Sequence, residues 1–271
     1  MFASTVPVTN TMSTTSQRLK GKTALITGGS RGIGRGIAQR FAAEGANVAI
    51  NYIGSAAAAK EALADVTAAG ARGVLLRADV SSAAEVTKLV ADAVAEFGQL
   101  DLLVNNAGIE VHAPFWDVTE ADYDKVMDVN VKGAFFATQA LVRHLQATQR
   151  PGRIINISSV HEENAFPNFA AYCASKGAMR MLARNLAVEL GPLGITINNI
   201  APGAIETPIN ARLLNDPVKL ASLKGQIPLG RLGRPDDVSG LAVFLASAES
   251  AYVTGSTYLV DGGLTVFYQE Q

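Results

Sequence analysis

Cysteine is almost absent from this chain, with one thiol, Cys173, in 271 residues. An internal disulfide is thereby excluded, and such usage suits a reducing compartment. Histidine is nearly as scarce. His112, His144 and His161 lack metal-ligand spacing, and with no CxxC and no HExxH no metal site is expected. An excess of either charge is missing too, since 23 Lys and Arg against 24 Asp and Glu leave a net charge of -1. That balance gives no basic footprint for nucleic acid. No apolar run approaches the roughly 20 residues that span a bilayer, so no membrane partner is expected. Residues 1–20 are rich in Ser and Thr and lack the continuous apolar core of a signal peptide. They are expected to form a disordered lead, with Met12 as an alternative start, before a folded part at 21–271 in the cytoplasm.

Hydrophobic residues make up 48% of the chain but aromatics only 6%, so the core is mostly small aliphatics that let helices pack closely on a sheet. Short apolar runs at 23–27, 47–51, 73–80, 100–105, 153–158 and 195–200 read as strands, and YLVDGG near the C-terminus supplies a seventh. They are apolar on both faces, as a sheet covered on both sides requires. Helical stripes lie between them: Ile33, Ile37 and Phe41, then Val86, Leu89, Val90, Ala93, Val94 and Phe97, then long stretches at 120–148 and 172–190. The order predicts a single-domain α/β fold of Rossmann type, a doubly wound parallel sheet of about seven strands with helices on both faces. The irregular stretch 203–235, with four prolines, reads as either a substrate lid or a long surface connection, and its length favours the lid.

After the first strand comes TGGSRGIG, residues 27–34, leading directly into a helix. Gly28 allows a sharp turn, Gly32 allows pyrophosphate to approach the backbone, and Gly34 allows the helix to pack on the strand. A helix N-terminus there presents free N–H groups and a positive dipole end. The bland alternative is a tight turn with no ligand, and the strand-before, helix-after context favours a dinucleotide. Tyr172 and Lys176 stand four apart at the start of a helix and share a face.

TGGSRGIG, Asp79-Val80, NNAG (105–108), Asn130, Ser159, YCASK (172–176) and PGAIETP (202–208), in that order, resemble the short-chain dehydrogenase/reductase family from about residue 20 to 265. The resemblance implies hydride transfer between a nicotinamide cofactor and an alcohol or carbonyl. It implies Tyr172 as proton donor and acceptor, since an ordinary phenol with pKa near ~10 is a poor base unless a nearby cation favours phenolate. Lys176 would supply that charge and hold the nicotinamide ribose. Ser159 would hold the substrate oxygen, with Ser158 the rival choice, and Asn130 would bend its helix to position a water. Gly28, Ser30, Arg31, Gly32, Ile33, Gly34, Asn51 and Tyr52 would bind cofactor; Asp79 and Val80 would meet adenine. Asn106, Ala107 and Gly108 would line the cleft, and Pro202, Gly203, Ile205 and Thr207 would close over the nicotinamide amide.

The second strand ends Asn51-Tyr52-Ile53-Gly54, with no acid to bind ribose hydroxyls, and Arg31 resembles the basic residue that meets a 2′-phosphate. NADP is therefore expected, with NAD still open because no second basic residue follows that strand. SSVHE, PGAIETPIN and SAYVTGSTYLVDGG most resemble bacterial glucose 1-dehydrogenases, which implies an aldose substrate. His161, Glu162, Phe166, Phe169 and Asn210 are the candidate pocket residues. An NADPH-dependent carbonyl or 3-oxoacyl thioester reductase is the alternative, and a non-catalytic NADP sensor a third. Cys173 reads as a small helix residue rather than a nucleophile. The resemblance also implies a homotetramer, with LTVFY (264–268) in a buried contact.

Overall fold

The structure, a computed structural model, describes residues 17–267. Seven strands form it: β1 (Thr23–Ile26), β2 (Asn47–Tyr52), β3 (Gly73–Arg77), β4 (Leu102–Asn105), β5 (Gly152–Ile157), β6 (Ile195–Pro202) and β7 (Thr257–Val260). All pairings are parallel, in the order β3-β2-β1-β4-β5-β6-β7. The chain runs outward from β1 to β3, then returns to start β4 on the other side of β1. That reversal opens a crevice at the carboxyl ends of β1 and β4, where ligands of such sheets bind.

The helices are α1 (Gly32–Ala43), α2 (Ala56–Ala68), α3 (Ala83–Phe97), α4 (Glu120–Met127), α5 (Gly133–Thr148), α6 (Ala170–Leu190), α7 (Ala211–Leu214), α8 (Pro217–Gly225) and α9 (Pro235–Ala246). One hydrophobic cluster joins the sheet to α1, α2 and α9 through Ile37, Phe41, Ala62, Val66, Val238 and Ala242. The other joins the opposite face to α3, α5 and α6 through Leu89, Leu141 and Ala183. Covered on both sides, every residue of β1, β4 and β6 is buried, whereas the edge strands β3 and β7 are only partly so. The doubly wound parallel sheet is the one the alternation predicts.

Three stretches differ from the sequence reading. The third strand, expected to reach 80, ends at Arg77. Beyond it the Asp79 N–H donates to Glu85 Oε2 and the Ser82 hydroxyl caps α3, so the chain has already turned. The helix expected over 120–148 is divided by a π-helical turn at Asp128–Lys132, where the Asn130 side chain bonds backbone outside the helix. The stretch 203–235 holds α7 and α8 and is tied at its base by a bridge between Ile205 and Gly233. Among the described residues, no helix is long and apolar enough to cross a membrane.

Candidate active site

The glycine turn closes the crevice from the β1 side. Gly32 has φ +55°, and a Cβ there would meet Thr207 Cγ2 at 3.3 Å, so side-chain-free backbone lies under the 205–208 segment. A Cβ on Gly34 would stand 2.5 Å from Asn106 Nδ2 and 2.7 Å from the Gly28 carbonyl, which admits no other residue. No side chain caps α1, and its first turn carries no acid, so its leading N–H groups are left for an anion. A cradle of this kind fits the pyrophosphate of a dinucleotide.

Several predicted cofactor residues build this turn from behind. Asn106 donates to the carbonyls of Thr27 and Gly28 at 2.9 and 3.0 Å. Asn51, expected to face the cofactor, is 2% exposed; its Oδ1 accepts from Gly28 N–H and its Nδ2 donates to Leu76 and Ala78 carbonyls. With its polar atoms committed to backbone, it positions the turn. Arg31 reaches the end of β2, its Nη2 lying 3.8 Å from where a Cβ on Gly54 would be. A second guanidinium comes to the same corner. Arg77 is paired across from Tyr52 by strand register, and its Nε donates to the Ile53 carbonyl at 3.4 Å. The sequence reading missed it because only the register of β3 on β2 makes it a neighbour.

Ser159, Tyr172, Lys176 and Asn130 converge at the carboxyl ends of β4 and β5. Ser159 is 6% exposed, accepts the His161 N–H at 3.2 Å and is hydrogen-bonded to the Tyr172 hydroxyl. Its rival Ser158 is also buried, but its hydroxyl has no partner among the described residues. Lys176 is 3% exposed; its Nζ donates to the Ile157 carbonyl at 2.9 Å and stands 5.4 Å over the Tyr172 ring. Burial pushes the Tyr172 phenol above its ordinary range, opposed by the Ser159 bond. Burial also pushes the Lys176 amine down to about 8, opposed by the charges of Glu162 and Glu110. Neither group would hold its charge easily without the other or an equivalent counter-charge. Asn130 accepts from Ile109 N–H and donates to the Ile109 carbonyl and Ser175 Oγ. It thereby locks the loop after Gly108 to the helix that carries Tyr172 and Lys176.

Around Tyr172 stands an aromatic wall. His161 and Phe169 have ring centroids 6.1 and 6.2 Å from the Tyr172 ring, Phe166 lies 5.2 Å from Phe169, and His112 lies 5.0 Å from Phe169. His112 was not among the expected pocket residues. Asn210, which was, donates to the Ile205 carbonyl at 2.8 Å and closes its own turn. Beneath the wall a chain of amides crosses the sheet. Asn105 bonds Thr138 and Asn156, Asn156 bonds Asn199, and Asn199 bonds the buried Glu162. The signal in the sequence was an Asn near the end of three successive apolar strands, and register aligns them.

Comparison with known proteins agrees with this architecture. A family model described as enoyl-(acyl carrier protein) reductase matches residues 28–265. The chain is 44% identical over 249 residues to 3β-hydroxysteroid dehydrogenase 1 of Eggerthella lenta, covering 92% of this chain and 95% of that protein. It is 39% identical over 250 residues to glucose 1-dehydrogenase 2 of Bacillus subtilis, covering 92% and 96%. A gluconate 5-dehydrogenase from Burkholderia cenocepacia, solved with NADP and tartrate, superposes with a TM-score of 0.88 at 39% identity over 94% of this chain and 99% of that one. The chain belongs to the short-chain dehydrogenase/reductase family of NAD(P)-dependent oxidoreductases.

Proposed function

We propose that this enzyme oxidises a ring-borne hydroxyl with NADP, with Tyr172 as the base, and that an aldose such as glucose is the substrate class to test first. The observation that carries the reading is the Tyr172 hydroxyl, bonded to Ser159 and standing by the buried Lys176 ammonium. Ser159 holds the substrate oxygen, and Tyr172 accepts its proton at the phenol oxygen, or returns it in reduction. Lys176 favours the phenolate by its charge, and Asn130 fixes the loop and helix against each other. When bound, the nicotinamide supplies the hydride acceptor. The α1 N-terminus would hold the pyrophosphate, and Arg31 with Arg77 a ribose phosphate.

A neutral ring carrying hydroxyls matches a wall of His161, Phe166 and Phe169, because C–H faces stack on aromatics while polar edges reach Ser159 and Tyr172. The same wall, with Phe166 about half exposed, also suits an alicyclic alcohol, and the hydroxysteroid dehydrogenase relative favours that second reading. Steady-state reduction of NADP and NAD with D-glucose, an aldose panel and a 3β-hydroxysteroid separates the two. Saturable turnover with aldoses supports the first reading and turnover with the steroid alone supports the second. Silence with all would move the search to NADPH-driven reduction of ketones and 3-oxoacyl thioesters. Assembly as a cytoplasmic homotetramer belongs to the same proposal; Val266 and Phe267 are exposed at the C-terminal end, while Tyr268 lies outside the described residues. A monomer in light scattering would count against it.

A further inference from the structure

We propose that Glu162 is a positioning residue of this site, the anchor that holds the turn bearing Ser159 onto β6. The turn leaves β5 through Ser158, whose N–H donates to the Ile200 carbonyl of β6 at 2.7 Å. It continues as the 3-10 segment Val160–Glu162, capped by the Ser159 hydroxyl, which accepts the His161 N–H at 3.2 Å. The Glu162 N–H donates to the Ser159 carbonyl at 3.0 Å, so the two ends of the turn move together. The Glu162 side chain, 1% exposed, then returns to β6, where Oε2 accepts from Asn199 Nδ2 at 3.4 Å. Ser159 is thus slung between attachments to two neighbouring residues of one strand, Ile200 before it and Asn199 after it.

The polarity of the amide chain explains why an acid stands at its end. Asn105 Nδ2 donates to Asn156 Oδ1, Asn156 Nδ2 to Asn199 Oδ1, and Asn199 Nδ2 to Glu162. Every link runs in one sense, so the last group must accept, and an ionised carboxylate has only acceptor sites. All three amides are buried, so an apolar residue at 162 would leave the last donor unpaired. The charge itself finds little else. Oε1 makes no hydrogen bond, with Arg180 Nε 3.6 Å away, while Nη1 of that arginine turns to Glu163. Glu163 is about half exposed, so its pair with Arg180 tethers the turn only weakly. A buried carboxylate of this kind is often no more stabilising than an apolar residue of its volume. What it supplies is a fixed place for the turn, which sets Ser159 against the Tyr172 hydroxyl and the His161 ring among Phe166, Phe169 and Tyr172.

The consequence for turnover rests on the reading of Ser159 given above; the first test does not. With only three histidines in the chain, full-length protein labelled with carbon-13 at histidine gives few imidazole signals in NMR, and His161 is identified by its loss in His161→Gln. Glu162→Gln and Glu162→Met both remove the charge, and only Gln keeps an oxygen that can accept from Asn199. In Glu162→Met the His161 signal should shift as its ring leaves its place among the three aromatic rings, while that of His144 on α5 stays. In Glu162→Gln the shift should be less than about a third of that, because the hydrogen bond remains. A His161 signal unmoved in Glu162→Met, or moved as far in Glu162→Gln, overturns the proposal. Should Glu162→Met fold poorly, the paired Glu162→Met/Arg180→Met variant leaves neither buried charge alone and carries the same expectation. With an alcohol that the wild type turns over, kcat/KM should fall about 10- to 100-fold in Glu162→Met, as for a reacting group misplaced by about 1 Å, and Glu162→Gln should keep at least about a third. A signal that moves while kcat/KM holds would keep Glu162 as the anchor and overturn the role given to Ser159. Absence of wild-type turnover would count against the proposed function alone, and the His161 signal then decides.

Discussion

Replacing Arg31 by Ala should separate the two nicotinamide cofactors. Arg31 is exposed, precedes α1 and makes no cap hydrogen bond with its side chain, so the fold loses little. A stability change within about 0.5 kcal/mol is expected for such a surface site. Its guanidinium instead reaches the corner beyond β2, whose closing residues Asn51-Tyr52-Ile53-Gly54 include no acid to repel a ribose phosphate. A hydrogen bond to a charged group contributes about 1.5–3 kcal/mol, which corresponds to about 10- to 150-fold in Kd. Exposure to solvent and salt argues for the lower part of that range, about 10- to 30-fold for NADP. NAD offers no phosphate to lose and should change by less than about 2-fold. Arg77→Ala should act in the same direction but less, about 3- to 10-fold, because its Nε is engaged with the Ile53 carbonyl. Titration calorimetry of both cofactors at low and high salt is the assay, and salt should narrow the gap between wild type and variant. Equal weakening of NADP and NAD would refute the reasoning and point to a disturbed glycine turn. Unaltered NADP binding would place the phosphate elsewhere.

Tyr172→Phe should fold and bind NADP normally while turnover drops by at least about 100-fold, as stopped-flow and equilibrium binding would record; near-wild-type turnover would remove Tyr172 from the proton path. Asn156→Leu interrupts the amide chain between Asn105 and Asn199 and should destabilise by about 2–4 kcal/mol in urea unfolding, since buried partners lose their bonds; a loss below 1 kcal/mol would mean the chain contributes little. Lys176 titrates near 8 in the fold against an ordinary value of 10.5, so between these the unfolded chain holds a proton the native state has released. The contribution of this group to stability therefore rises with pH across that window, and Lys176→Met should lack the rise when unfolding is compared at pH 8, 9 and 10. Parallel curves for the two proteins would contradict the depressed value.

The sequence carries its local devices openly. TGGSRGIG is legible because backbone without side chains is needed at fixed offsets between a strand and a helix, and Gly32 and Gly34 meet the contacts that demand this. The doubly wound parallel sheet was legible because alternation of strands and helices with a right-handed crossover leaves few arrangements. Tyr172 and Lys176 were legible as helical neighbours four residues apart. Other features were not. Asn51 has the composition of a ligand-facing residue, yet its amide is consumed by Gly28, Leu76 and Ala78. Asn210 is consumed in the same way by Ile205.

By itself, then, the sequence determined the sheet, the glycine turn and the helix bearing Tyr172 and Lys176, because each depends on interactions a few residues apart or on the simple periodicity of apolar side chains. Tertiary structure decided the rest. It brought Arg77 to the corner that Arg31 reaches, set His112 in the aromatic wall, tied Asn130 to Ile109 and Ser175, and aligned Asn105, Asn156 and Asn199 into a chain ending on Glu162. Those contacts join residues dozens of positions apart. Only strand register and helix packing choose which distant polar groups meet, and burial then fixes how strongly they hold one another's charge.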